Sequence, residues 1–411
     1  MILTRLGAVL VAIVLTGCGS LRPTSPPDRL SCGLDRFVVR DIYRDYFIFK
    51  ASQIRPEALS DPNPSFNVLA LSAGGEFGAY GAGFLNGWRA VGQSAKPSPR
   101  DDIQIVTGVS TGAILATHAF LGEDPLIEQM YRSLSGDQIY TARNKLELIW
   151  ANSLLDASNK DRLIKDNLAR GLIDRVATAS GRFLYIGIVD LDSGRFLRIN
   201  MVELAKTIQP LDLRDACYRA VIGASSAIPI AFPPKFIDDL MLADGGARRH
   251  LFITELPDEA KKPNVQRRLF SFVHGDLTVD CITTTNGVLQ IAARMADLFT
   301  DQGFKDSIRL ADALAKAPVS STSSQPVFST YYASAAAAAT ACAPKRASCK
   351  SAGGVLSEDM FCHDFMNCLA DQGKDDGRAY ASGLKPWLQL GNLDLSSQQC
   401  TRSDTVRRLS Q

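Results

Sequence analysis

The chain has 411 residues, 46% of them hydrophobic and 21% charged, with 45 Lys+Arg against 43 Asp+Glu and nine cysteines. This balance excludes global disorder, which needs low hydrophobicity and high net charge. A net charge of +2 also excludes nucleic-acid binding through a broad basic face, a mode that requires a concentrated excess of cations.

The first element is a short apolar run, Leu6–Leu15, preceded by Arg5 and followed by Leu15-Thr16-Gly17-Cys18. It is too short to span a bilayer, which takes about 20 residues. A basic start, a brief apolar stretch and small residues at the cut describe a secretory signal peptide. The cysteine directly after the small residues resembles a bacterial lipoprotein signal. That resemblance implies removal of residues 1–17 and a lipid on Cys18; the alternative is an ordinary signal peptide with an incidental cysteine. Several acyl chains, at ~0.8 kcal/mol per buried CH₂, would anchor the mature chain firmly. Gly19, where an Asp would retain the protein, resembles the lipoproteins sorted to the outer membrane.

Setting Cys18 aside leaves an even set: Cys32, Cys217, Cys281, Cys342, Cys349, Cys362, Cys368 and Cys400. In an export compartment these are disulfide candidates, and eight cysteines allow 105 pairings. Short spacing makes Cys342–Cys349 and Cys362–Cys368 the expected local bridges. Zinc held by this cluster with His363 is the rival, but no C-x-x-C pair is present.

Gly19–Pro27 reads as an extended tether. Asp35–Lys50 mixes aromatic and charged residues and could form an amphipathic helix, packed on the domain or lying on membrane. Phe66–Ser72 reads as a strand ending in Ala73-Gly74-Gly75, with helix-compatible residues over Gly78–Trp88. Ile103–Thr107 is a second strand, ending at Gly108, and Thr111–Leu121 continues as a helix. Such alternation predicts an α/β architecture with a mainly parallel sheet. Arg182–Asp190 and Arg195–Asn200 form a hairpin around Asp192-Ser193-Gly194. Phe236–Ala243 and Leu269–Val273 are further strands, and Val288–Phe299 has helical spacing. Pro318–Pro326 is a Ser-rich surface loop, and the alanine run Ala335–Ala339 belongs to a helix. The chain thus divides into a signal (1–17), a lipidated tether and N-terminal segment (18–60), an α/β domain (61–316) and a Cys-rich extension packed on it (317–411).

Three motifs could carry chemistry. Gly108-Val109-Ser110-Thr111-Gly112 is a G-x-S-x-G turn between strand and helix, the context in which such a serine is pushed out of the backbone as a nucleophile. Gly74-Gly75-Glu76-Phe77-Gly78 lies at another strand-to-helix turn. It lacks the first glycine of a dinucleotide fingerprint and the G-K-[ST] of a P-loop, which leaves an oxyanion hole or a structural tight turn. Asp244-Gly245-Gly246 follows a strand, at the sheet edge where open α/β folds place their sites. Asp has a reference pKa of ~3.9 and becomes a useful base only when desolvation raises it. The four histidines have little local context. His118 should point away from Ser110, His250 lies in a solvated-looking segment, His363 is within the Cys cluster, and His274 is the best candidate for a triad.

Taken in order, these motifs resemble the patatin-like phospholipase family. The segment Ala224-Ser225-Ser226-Ala227-Ile228-Pro229-Ile230-Ala231-Phe232-Pro233-Pro234 adds to the resemblance, which spans roughly Phe66–Gly246 with a weaker echo near Tyr380–Trp387. It implies a three-layer α/β/α fold and a Ser–Asp dyad. Ser110 would be the nucleophile, Asp244 the general base, and the N–H groups at Gly74 and Gly75 the oxyanion hole, with the Thr111 N–H a weaker donor. Gly78, Gly108, Gly112, Gly245 and Gly246 are the motif glycines. The implied reaction is hydrolysis of lipid acyl esters through an acyl-serine, with no metal or cofactor. The implied partners are a membrane-lipid substrate and the bacterial membrane holding the N-terminal lipid. The sequence departs from the family at Ser72 and Ala73, which replace an Asp and the first Gly. Phe77 replaces a basic residue that would attract a phosphate headgroup. Two alternatives stay open: a Ser-His-Asp esterase of α/β-hydrolase type using His274, and a catalytically silent lipoprotein scaffold on the same fold.

Overall fold

The computed structural model describes residues 29–38, 64–92, 100, 102–143, 152–253, 260, 262, 264–275, 288–319, 324–346, 349, 361–393 and 395. Cys18 and the signal, Cys281, Cys400 and most of Asp35–Lys50 lie outside them. The strands are β1 (Ser65–Leu71), β2 (Ile105–Val109), β3 (Thr141–Ala142), β4 (Leu155–Asp156), β5 (Phe183–Asp190), β6 (Phe196–Asn200), β7 (Lys235–Ile237), β8 (Leu240–Asp244), β9 (Gln266–Val273) and β10 (Ser329–Ser334). The helices are α1 (Gly78–Gly92), α2 (Thr111–Leu121), α3 (Asp124–Ser133), α4 (Gly136–Ile139), α5 (Ser158–Asn167), α6 (Arg170–Thr178), α7 (Met201–Thr207), α8 (Leu211–Ser225), α9 (Val288–Lys316), α10 (Ala336–Arg346) and α11 (His363–Ala381).

One sheet runs in the order β10-β9-β1-β2-β5-β8-β7, with β6 also paired to β5. From β10 to β5 every pairing is parallel; β6, β7 and β8 add antiparallel pairings. Side chains alternate across this sheet because a strand has a period of two. Phe66, Val68 and Ala70 of β1 enter one apolar core, while Leu69 and Leu71 enter the other. Likewise, Leu269 and Val273 of β9 face one side and Phe270 and Phe272 the opposite side. Both faces are therefore covered, and the strands read as nearly continuous apolar runs. Among the described residues no helix is long and apolar enough to cross a membrane.

Two expectations are corrected. Phe236–Ala243, expected as one strand, is the hairpin β7–β8. Asp238 takes φ 53°, and its carboxylate accepts the N–H groups of Cys32, Gly33 and Leu34 at 2.8, 2.9 and 2.6 Å. The turn thus fastens the N-terminal segment, together with the Cys32–Cys217 disulfide. The C-terminal bridges are Cys342–Cys368 and Cys349–Cys362, not the sequence-local pairs. Cys362 caps α11 and Cys368 lies within it. Six residues of helix rise about 9 Å, beyond the 4.4–6.8 Å that a disulfide allows between Cα atoms.

The segment after residue 316 does more than pack on the domain: its β10 joins the sheet beside β9. Its α11 crosses α1 at glycine contacts. A Cβ on Gly83 or Gly87 would lie 2.1 Å from the carbonyl oxygen of Ala370 or Lys374, and one on Gly373 would lie 2.1 Å from that of Tyr80. Trp387 then closes an aromatic cluster with Trp88, Phe84 and Phe270.

Candidate active site

The serine turn is built as the pentapeptide requires. Ser110 holds φ 56° and ψ −122°, a conformation that puts its side chain at the head of α2. Its N–H donates to Ser225 Oγ at 3.0 Å, and Ser225 in turn donates to the Gly187 carbonyl at 2.7 Å. Gly78, Gly108, Gly112 and Gly245 each stand where a Cβ would come within 2.2 to 2.6 Å of a neighbouring atom. These motif glycines are sites of close backbone approach.

The carboxylate comes from the end of β8. β2 runs parallel to β5 and stops with Val109 opposite Gly187; β8 runs antiparallel and stops with Asp244 opposite Ile188. β6 overlaps both registers on β5, so it must take the other edge, and β2 and β8 meet head-on along one edge. Asp244 is 3% exposed. Its Oδ1 accepts the Gly246 N–H at 2.7 Å, and its buried Oδ2 has no partner of ordinary hydrogen-bond geometry among the described residues. Burial pushes the Asp244 carboxyl up to about 6, against the opposing pull of the Ser110 hydroxyl, the Gly246 N–H and the Lys160 ammonium. That value suits a base working near neutral pH.

Gly74 and Gly75 form the turn beside the serine, with φ 149° and 55°. A Cβ on Gly74 would lie 1.4 Å from the His274 carbonyl oxygen. Among the described residues neither N–H is taken by an acceptor, and Gly75 lines the same cavity as Ser110. The Ala73 N–H is spent on the His250 carbonyl at 2.8 Å, which leaves Gly74 and Gly75 as the donors this turn offers.

The histidines are placed as follows. His274 is buried beneath the glycine turn, with Nδ1 2.8 Å from the Ser72 carbonyl oxygen and its ring packed on Gly81. Burial pulls its pKa down to about 4, and it does not line the cavity. His250, expected in a solvated segment, is 6% exposed and stacks on Phe304 at 4.1 Å. His118, expected to point away, lines the cavity with Ser110 and Ile114. The four-residue steps between these three positions put them on one helix face. At about 12 Å of helix rise His118 lies along the cavity rather than beside the hydroxyl. His363 is exposed and bonds Asn367.

The structure also brings in Lys160, which the sequence reading did not single out. It is 3% exposed and donates to the Ser226 carbonyl at 2.7 Å and the Ser226 hydroxyl at 3.2 Å. Its Nζ stands 4.6 Å from the Phe232 ring centroid. Burial pulls its pKa down to about 7, with the Asp161 and Asp244 carboxylates opposing that and Lys235 adding to it. The signal was a lysine sharing a helix face with Leu163, Ile164 and Asn167, all of which line the cavity. Ser225 is marked in the sequence only as part of the Ala224–Pro234 segment, since its partners Ser110 and Gly187 are distant in sequence; Phe361 has no local signature.

Residues 69–257 match the patatin-like phospholipase family. The chain therefore carries a patatin-like phospholipase domain over those residues. The crystal structure of VipD from Legionella pneumophila aligns at 11% identity over 87% of this chain and 72% of that one, with a TM-score of 0.33. No curated protein matches the chain.

Proposed function

We propose that this protein is a lipid-anchored hydrolase that cleaves acyl esters of phospholipids or lysophospholipids through a Ser110–Asp244 dyad. The observation that carries this reading is the head-on meeting of β2 and β8 along β5, which sets the serine turn against a buried carboxyl. The apolar cavity that opens from Ser110 between α2, α3 and α5 suits an acyl chain.

In this mechanism Asp244 takes the hydroxyl proton as Ser110 Oγ attacks the ester carbonyl carbon. The negative charge that develops on the carbonyl oxygen falls to the N–H groups of Gly74 and Gly75, and the positive end of the α2 dipole reinforces them. Collapse breaks the ester C–O bond. The leaving alkoxide takes the proton back from Asp244, and an acyl-Ser110 ester remains. Water then attacks that ester, giving its proton to Asp244, and the fatty acid leaves as Ser110 regains its proton. Ser225 holds the backbone of the turn through both steps.

Anchoring rests on Leu15-Thr16-Gly17-Cys18. A lipid on Cys18 would keep the cavity beside an insoluble substrate without a basic surface, consistent with the near-zero net charge. Fatty-acid release from phospholipid vesicles tests the reaction. Wild-type protein should release fatty acid, and Ser110→Ala and Asp244→Asn should not. Full activity in Asp244→Asn would remove the dyad.

A further inference from the structure

Among the described residues, the Cys-rich C-terminal section reaches the cavity at Phe361. Phe361 lines it together with Ser110, Gly75 and Phe232, and its ring centroid lies 6.4 Å from that of Tyr140. Tyr140 in turn stands 6.4 Å from Phe232. Phe361 lies beyond residues 69–257, the stretch that matches the family.

We propose that Phe361 is the residue that sets acyl-chain selectivity, as a wall of the cavity fastened to the glycine turn by Glu76; this rests on the hydrolase reading above. Glu76 is a buried residue inside the turn. One carboxylate oxygen accepts the Phe361 N–H at 2.8 Å, and the other pairs with Arg346 from the end of α10. The Arg346 guanidinium also lies over Phe365, 4.2 Å from its ring centroid, and Phe365 meets Phe77 edge-on at 5.8 Å. The position where the turn carries Phe in place of a basic residue is thus part of this seam. Phe361 holds φ 62°, which a bulky residue adopts only when its surroundings impose it. Those surroundings are Glu76 and the adjacent Cys349–Cys362 bridge. An aromatic ring held this firmly has a defined position and can discriminate by size.

The test is the ratio of kcat/KM for a twelve-carbon to a four-carbon p-nitrophenyl ester, which cancels any general loss of activity. Phe361→Ala should raise the ratio by about tenfold, the lower end of what a single methylene group commands in an apolar pocket. Phe361→Trp should lower it, a reversal that misfolding cannot produce. Glu76→Ala should move the ratio in the same direction as Phe361→Ala, and Glu76→Gln, which still accepts the Phe361 N–H, should move it less. Active variants whose ratios all stay within twofold of wild type would overturn this inference alone. A wild-type protein inactive on every ester would overturn the hydrolase reading and this inference with it.

Discussion

Ser110 and Asp244 are brought to the same place because the strands that lead to them run toward one another along the same edge of β5. The rungs at which they stop are adjacent, Val109 opposite Gly187 and Asp244 opposite Ile188. Gly187 also holds Ser225, which holds the Ser110 N–H. One strand therefore sets the registry of both groups, and a shift in β5 would misplace Ser110 and Asp244 together.

The Asp244 carboxyl is strained electrostatically, and that gives a stability prediction. Its folded pKa of about 6 lies above the ordinary 3.8, so the fold prefers the protonated form. The associated stability is present below pH ~3.8 and is lost as pH rises through about 6. Asp244→Asn stays neutral throughout. It should therefore be more stable than wild type at pH 8, by up to about 3 kcal/mol for a shift of about two units, and the gain should shrink at pH 5. Denaturant titrations of both proteins at the two pH values measure this.

The same carboxyl should govern the acid limb of activity. In the proposed mechanism turnover needs the carboxylate, so kcat should rise as pH passes about 6. Lys160 attracts that carboxylate and lowers its pKa. Lys160→Met should shift the limb to higher pH and Lys160→Arg should shift it less, read from kcat against pH. A limb unmoved by Lys160→Met would detach this lysine from the base.

Acid should also loosen the fold through histidines buried in neutral form. His274 and His250 have folded pKa values of about 4, below the ordinary 6.5. The stability each contributes is present above pH ~6.5 and lost as pH falls through about 4. His274→Asn removes one such group. Wild type should therefore lose more stability than this variant between pH 7 and pH 4, as shown by their denaturation midpoints.

Two glycine substitutions should behave in opposite ways. Gly74→Ala places a Cβ 1.4 Å from the His274 carbonyl oxygen and should abolish ester hydrolysis while lowering Tm. Gly171 lies in α6 with nothing near a Cβ. Gly171→Ala should leave hydrolysis intact and stabilise by about 0.5–1 kcal/mol. Thermal melts and ester assays on the pair separate backbone crowding from a general intolerance of alanine.

The elements that carry the site were legible because their signals are local. Phe66–Leu71, Thr111–Leu121 and the hairpin around Asp192-Ser193-Gly194 are set by apolar runs, a serine turn and turn residues, and each forms where those patterns lie. The break at Asp238 was not legible, since its reason is three N–H groups about 205 positions earlier in the chain. The disulfides were misjudged for a related reason. Proximity in sequence favoured Cys342–Cys349, whereas helix rise and the packing of α10 on α11 favoured Cys342–Cys368. Lys160 and Phe361 are long-range additions of the same kind: a helix and a C-terminal turn bring them to a cavity that no motif near them announces.

The most direct test of the dyad is the rate at which a fluorophosphonate probe labels the folded protein, with the modified residue identified by peptide mass. Wild type should be labelled at Ser110, Ser110→Ala should not be labelled, and Asp244→Asn should be labelled at least a hundredfold more slowly at pH 8. Labelling of Asp244→Asn at the wild-type rate, or at a serine other than Ser110, would contradict the account.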